Sequence, residues 1–189
     1  MRRPFRIEGF AIACLDGAIA DAAGLMPDSL KLEADQRFFE KALDGAAVIV
    51  HGRMSHEGQR NSPKRRRLIL TRQVPAIAAD PTNEKTLFWN PAGASFEQAL
   101  AALGAPDGSV GIIGGTDVFG MFLDRYDVFH LSRAPGVRLP GGRPVFPGVP
   151  TRNPEQVLAG HGLDRSQRQV LDAAMGLAVV SWRRSSEAR

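Results

Sequence analysis

Residues 110–119 read V-G-I-I-G-G-T-D-V-F. The first four are apolar and of strand type, and they end on Gly114 and Gly115. The polar pair Thr116-Asp117 then opens an amphipathic segment over 118–123. Two glycines at a strand-to-helix turn carry no Cβ, so a ligand or another backbone can lie close against them. The helix start offers unpaired N–H groups that suit a phosphate. The turn alone reads either as a nucleotide cradle or as a tight turn between packed elements.

Short apolar runs surround it at regular intervals. Residues 10–15 form a buried strand, turned by Asp16-Gly17, and 46–51 form a second that Gly52 breaks. Strands follow at 68–71, 87–89, 110–113, 128–132 and 177–182. Between them lie helical stretches. Ser29 is placed to cap a helix running to Leu43, Ser95 and Gln98 have capping-box spacing, and 167–175 reads as a helix. Residues 20–26 are small and read as a loop, and 61–67 as a basic loop. With five prolines and four glycines, 135–150 reads as a loop or edge segment. Strands alternating with helices predict a three-layer α/β domain, its central, mostly parallel sheet flanked by helices. No linker divides residues 1–189, so one domain is expected.

The composition is that of a globular chain, 43% hydrophobic and 23% charged. The net charge of +4 is modest and concentrated in Lys64-Arg65-Arg66-Arg67 and Arg183-Arg184. No aromatic residues interleave with the first run, so a solvated face or a rim for a nucleotide phosphate is preferred to a nucleic-acid surface. No apolar run reaches the roughly 20 residues of a membrane span. Acidic residues interrupt what would have to be the apolar core of an export signal after Arg2-Arg3. Cys14 is the only cysteine and lies in an apolar run, so it is expected in the core of a reduced, cytoplasmic protein. His51 and His56 are not spaced as a helical metal pair, and no metal cluster or nucleophilic triad is evident.

Asp35 stands out. On a helix over 30–43, Leu32, Phe39 and Leu43 share a face, and at 100° per residue Asp35 falls within that arc. Glu33, Arg37 and Glu40 fall on the opposite side. A carboxyl on an apolar face resists ionisation and can hold or protonate a heterocycle. Its other reading is an acid stabilising the helix N-terminal half. Gly52-Arg53 after the second strand would admit a phosphate and pair with it, unless Arg53 is simply exposed.

In this order the pieces resemble the dihydrofolate reductase-like superfamily, which includes dihydrofolate reductase and the reductase domain of the riboflavin-pathway deaminase-reductase. The resemblance runs from about Phe10 to Trp182. It rests on A-I-A-C-L-D-G-A-I-A (11–20), Met26-Pro27, D-x-x-x-F (35–39), V-I-V-H-G-R-M-S (48–55), L-I-L-T-R (68–72), I-I-G-G-T-D-V-F (112–119), Y-D-V-F-H-L-S-R (126–133) and Phe146-Pro147. Dihydrofolate reductases carry a tryptophan where this chain has Asp28. Here, too, two extra residues separate Met-Pro from Asp35. The L-D-G-A-I-A at 15–20 looks more like the L-D-G-K-I-A of the riboflavin branch, with Ala18 in place of its lysine. G-G-R-P-V-F at 141–146 also resembles that branch.

The resemblance implies an NADPH-dependent reductase acting on a small heterocycle, either a dihydrofolate-like pteridine or 5-amino-6-(5-phosphoribosylamino)uracil. It implies Asp35 and Ser132 as the substrate-side pair. Gly52, Arg53, Met54 and Ser55 match the turn at the cofactor phosphates, and Thr71 and Arg72 the segment at the adenosine 2′-phosphate. Ile113, Gly114, Gly115 and Thr116 match the turn beneath nicotinamide and pyrophosphate, and Ala13 and Ile19 positions lining the nicotinamide pocket. Neither nucleic acid nor membrane is implied as a partner. The riboflavin branch implies a homodimer and the folate branch a monomer. A non-catalytic nucleotide-binding sensor or interaction protein on the same fold is the competing expectation.

Overall fold

Strand β7 (Gly108–Ile112) lies between two strands from much earlier in the chain, β1 (Phe5–Ala13) and β3 (Val48–Gly52), and runs parallel to both. The structure is a computed structural model and describes residues 5–55, 58 and 60–185. In chain order the other elements are β2 (Ala18–Ala20), α1 (Glu33–Asp44), β4 (Arg67–Leu70), β5 (Ile77–Ala79), β6 (Thr86–Trp89), α2 (Phe96–Ala102), α3 (Thr116–Met121), β8 (Val128–Arg133), β9 (Arg143–Pro144), α4 (Pro154–Gly160), β10 (Leu163–Asp172) and β11 (Leu177–Arg184). Nine strands form one sheet in the order β10-β11-β8-β1-β7-β3-β4-β6-β5, and β2 pairs with β9 in a separate ribbon.

The six strands from β8 to β6 in that order are parallel, while β11 and β5 pair antiparallel at the flanks. After β1 the chain moves outward through β3, β4 and β6. It then returns to insert β7 beside β1 and places β8 on the other side. All six carboxyl ends lie at one edge, and the winding direction reverses beside β1, the position at which open α/β sheets take their ligands.

The two faces of the sheet are packed differently because successive residues of a strand point to opposite sides. Phe10 of β1 and Ile49 of β3 meet Leu43, Phe38, Phe39 and Ala42 of α1. Ile7, Ala13, Val48, Val50, Val110 and Ile112 pack with α2, α3 and α4 through Phe96, Phe119 and Leu158. Each fully buried Phe or Leu stabilises the fold by about 1.5–3 kcal/mol relative to exposure. The α/β architecture with a central, mostly parallel sheet is therefore the one expected, and Cys14 lies fully buried among Ile12, Ala18 and Leu30.

Two expectations fail. Ser29 does not cap α1: it sits in a short 3-10 turn (Asp28–Leu30), and α1 starts at Glu33 behind Leu32 with no side-chain cap. The segment expected as a helix over 167–175 is instead the second half of strand β10 and the turn into β11. Its side chains are exposed along most of the strand, so no two-residue alternation marks it. Pairing with β11 supplies the backbone hydrogen bonds that a helix would otherwise supply. By contrast, Ser95 caps α2 with a complete capping box, as the spacing predicts.

Candidate active site

The glycine turn is built from two strand ends in contact. The Gly52 N–H donates to the Gly114 carbonyl at 2.7 Å, and the Ser55 N–H donates to the Gly52 carbonyl at 2.9 Å. Gly114 has φ +108°, a region L side chains rarely adopt, and a Cβ there would lie 2.8 Å from the Phe119 ring. The Gly114–Gly115 peptide is cis. A Cβ on Gly115 would meet only Ser55 Oγ, at 3.5 Å, so its outer surface is open. The Thr116 hydroxyl donates to the Pro144 carbonyl, which ties the turn to β9. One expectation weakens here: α3 has only six residues, so its dipole adds little and the turn's own backbone is what a ligand would meet.

The next strand ends bring cations to the same edge. The Arg53 N–H donates to the Leu70 carbonyl at 3.0 Å, so the loop after β3 crosses the end of β4. Arg53 and Arg72 are exposed and make no ion pair among the described residues, and Met54 is likewise exposed. Thr71 is buried, and its hydroxyl accepts the Gln73 N–H at 3.2 Å, which fixes the turn that presents Arg72. The basic run is not a uniform solvated face. Arg65 is buried and lies 2.5 Å from Asp44, and Arg67 donates to the Ser62 hydroxyl at 3.0 Å. His51 is buried with Nδ1 3.0 Å from the Gly52 carbonyl, and His56 lies outside the described residues.

Asp35 occupies the first turn of α1 and is only 9% exposed. Its carboxyl accepts a hydrogen bond from the Ser132 hydroxyl, and Ser132 is 1% exposed on β8. Burial pushes the Asp35 pKa above the ordinary carboxylate value, and the Ser132 bond opposes this only in part. Ser132 pairs with Ile12 of β1, one residue before buried Ala13. Ile19 is half-buried on β2, and Ile113 packs with the cluster under α1 after donating its N–H to Val50 at 3.0 Å. Gly52, Ser55, Gly114, Gly115 and Thr116 thus form one connected patch. Asp35 and Ser132 form a second, buried pair on the α1 side of the sheet. Arg143, in the G-G-R-P-V-F segment at 141–146, is exposed on β9.

No protein-family description matches this sequence, and no curated protein is similar to it by sequence. Solved structures are similar in shape. A protein assigned to riboflavin biosynthesis from Shewanella sp. PV-4 superposes with a TM-score of 0.64 at 18% identity, over 95% of this chain and 99% of that one. Dihydrofolate reductase from Enterococcus faecalis, complexed with NADP(H) and RAB-propyl, gives 0.64 at 20% identity, over 96% and 97%. The Thermotoga maritima diaminohydroxyphosphoribosylaminopyrimidine deaminase/5-amino-6-(5-phosphoribosylamino)uracil reductase gives 0.63 at 19% identity. That match covers 95% of this chain but 56% of the two-activity protein. The chain therefore has the dihydrofolate reductase-like fold. Solved structures similar to it include a dihydrofolate reductase and proteins of riboflavin biosynthesis.

Proposed function

We propose that this protein is an NADPH-dependent reductase of a small heterocycle, a pteridine or a ribosylated aminopyrimidine. The observation that carries the reading is the placement of two unlike patches on one fold. A glycine turn with an open backbone surface stands near Arg53 and Arg72, which make no ion pair among the described residues, and a buried carboxyl–hydroxyl pair joins the start of α1 to β8. The residues present fit the dinucleotide. The outer face of Gly115 lacks the Cβ that would fill the approach, Ser55 stands beside it, and Arg53 and Arg72 are free to meet phosphates.

The bound cofactor would supply a hydride to a C=N or C=O bond of the heterocycle. The chain's own work is orientation, exclusion of water and control of a proton. Gly114 and Gly115 give a backbone floor, Ile19 an apolar wall backed by the fully buried Ala13, and Arg53, Ser55 and Arg72 would fix the phosphates. Asp35, held by Ser132, pairs with adjacent N–H groups of the ring when ionised. When protonated it can donate to a ring nitrogen, and burial extends that form towards neutral pH. NADPH absorbance followed with dihydrofolate and, separately, with 5-amino-6-(5-phosphoribosylamino)uracil tests the reading directly. Oxidation with one of them is expected. Tight NADPH binding with no oxidation by any pteridine or pyrimidine would replace it with the non-catalytic nucleotide-binding reading.

A further inference from the structure

The Thr116 hydroxyl joins the glycine turn to the β2–β9 ribbon by donating to the Pro144 carbonyl. A hydroxyl has one proton to give, and an ionised phosphate only accepts hydrogen bonds. With that proton committed, the Thr116 side chain has nothing to offer a cofactor phosphate, although it opens α3 directly after Gly115. Its bond serves a different purpose: it ties the turn to a segment 28 residues further along the chain.

The ribbon held in this way is short but braced along its length. Ala18 pairs with Pro144 and Ala20 with Arg143, and the Val145 N–H donates to the Gly17 carbonyl at 2.9 Å. A Cβ on Gly142 would lie 2.5 Å from the Ala20 carbonyl, so the two strands leave no room for a side chain there. Behind β9, Val145 and Phe146 are fully buried, and the Phe146 ring stands edge-on to Phe119 of α3 at 6.1 Å. At the outer end Asp16, in the turn before β2, accepts the Leu139 N–H at 3.1 Å and pairs with Arg138 at 2.5 Å. Beside it the Leu15 N–H donates to the Val137 carbonyl at 2.8 Å, and Arg133 donates to the Leu15 carbonyl at 3.0 Å. Ile19 is carried between these two anchors and packs against the cluster that holds Val118 and Phe119 of α3.

We infer, on the reductase reading above, that Thr116 is a positioning residue and not a phosphate ligand. Its hydroxyl fixes the ribbon, and with it Ile19, against the Gly114-Gly115 turn, and so sets the gap that receives the nicotinamide end of the cofactor. Asp16 holds the same ribbon from its far end. The phosphates then depend on groups that the ribbon does not carry, Arg53, Ser55 and Arg72, which stand beyond the ends of β3 and β4. Loosening the ribbon therefore weakens the hold on one end of the dinucleotide and spares the other.

Ligand binding and amide exchange test this without turnover. Wild type, Thr116→Val and Thr116→Ser are titrated with NADPH and with 2′-phospho-ADP-ribose, which keeps the phosphates and lacks the nicotinamide. Loss of one positioning hydrogen bond predicts NADPH binding at least roughly threefold weaker in Thr116→Val, and a change below about twofold for 2′-phospho-ADP-ribose. Thr116→Ser keeps the donor and should bind both like wild type. In the free protein, exchange of the Val145 amide should quicken in Thr116→Val by more than that of the Ile49 amide, which donates to the Arg66 carbonyl at 2.9 Å within the sheet and follows the stability of the whole fold. Asp16→Ala loosens the far end without touching the turn. It should give the same split between the two ligands, and it carries the test if Thr116→Val does not fold. Equal weakening of both ligands would overturn the inference by making the hydroxyl a phosphate contact. Unchanged NADPH affinity would overturn it too, as would exchange at Val145 that rises no more than at Ile49. Failure of wild type to bind NADPH would remove the reductase reading and the inference together, whereas the other adverse outcomes remove the inference alone.

Discussion

Gly114 and Gly115 are neighbours with opposite tolerances, and that contrast separates folding from function at single residues. Gly114→Ala places a Cβ 2.8 Å from the Phe119 ring on a backbone with φ +108°. Such strain is expected to cost about 1–3 kcal/mol and to lower the melting temperature. Gly115→Ala meets only Ser55 Oγ at 3.5 Å in the protein, so its melting temperature should stay near wild type. The same methyl would stand on the surface proposed for the cofactor. Fluorescence titration should therefore show at least a roughly tenfold loss of NADPH affinity, the size of effect a misplaced contact of about 1.4 kcal/mol produces. A Gly115→Ala protein that binds NADPH like wild type would move the cofactor elsewhere. Asp35 makes a second, opposite case. Its folded-state pKa is raised, so the cost of burying it is absent below the ordinary carboxylate pKa and grows as pH rises through the folded value. Asp35→Asn should cut turnover at least roughly a hundredfold if it handles the proton. It should leave NADPH affinity intact and raise the melting temperature at neutral pH more than at acid pH. Turnover that survives the change would remove Asp35 from the mechanism.

At the scale of elements, legibility followed where each element's hydrogen bonds and packing come from. The strands over 46–51, 110–113 and 128–132 were readable because parallel strands buried on both faces appear as unbroken apolar runs. Helix α2 was readable because Ser95 and Gln98 cap it locally. The same local signal stands at Asn153 and Gln156, where a second capping box starts α4 with Pro154 in the first turn, yet the Pro- and Gly-rich stretch before it hides the helix. Asn153→Ala should cost about 1 kcal/mol in a denaturant melt. Strand β10 was hidden because its partner, not its own pattern, makes it a strand. The visible clue was the turn at 172–176, where Asp172 Oδ1 accepts the Met175 N–H at 3.1 Å. For the site, Asp35 was legible through its place on the helical arc, and the glycines through their strand-end position. The Thr116–Pro144 bond was not, since it joins segments far apart in sequence. One sheet-wide feature was equally invisible. Glu8 of β1, His130 of β8 and Ser181 of β11 form a hydrogen-bonded chain, with 3.2 Å from His130 Nε2 to Glu8 and 3.0 Å from Ser181 Oγ to His130 Nδ1. Burial raises the Glu8 pKa, but the His130 bond and the charges of Arg6, His130 and Arg183 outweigh it and hold the carboxyl below its ordinary value. That contribution is present above the ordinary carboxylate pKa and lost as pH falls through the folded value. Glu8→Gln should therefore lose roughly 1–2 kcal/mol at neutral pH and show a shallower fall in stability on acidification. An unchanged acid limb in urea melts would count against the chain.

For the whole molecule, the charge balance says less than its placement. The excess of +4 would be weak grounds for any polyanionic partner. Several cations are spent within the fold: Arg65 on Asp44, Arg6 on Glu8, and Arg184 on the carbonyls of Leu123, Tyr126 and His161. Arg53 and Arg72, which make no ion pair among the described residues, stand at the carboxyl ends of neighbouring parallel strands, β3 and β4. A dinucleotide carrying a 2′-phosphate would add its largest local charge at that edge. Exposed charge pairs are screened over about 10 Å at 0.1 M salt, so the attraction must fall as salt rises. NADPH affinity is therefore expected to drop several-fold between about 50 and 500 mM sodium chloride, and NADH affinity to drop less. Arg72→Ala should weaken NADPH by roughly tenfold, leave NADH nearly unchanged, and bring the two salt dependences together. Fluorescence titrations of both dinucleotides, on wild type and variant across that salt range, measure all three quantities. Equal affinities and equal salt slopes in the wild type would show that Arg72 does not read the 2′-phosphate, and that shape and backbone contacts alone select the cofactor.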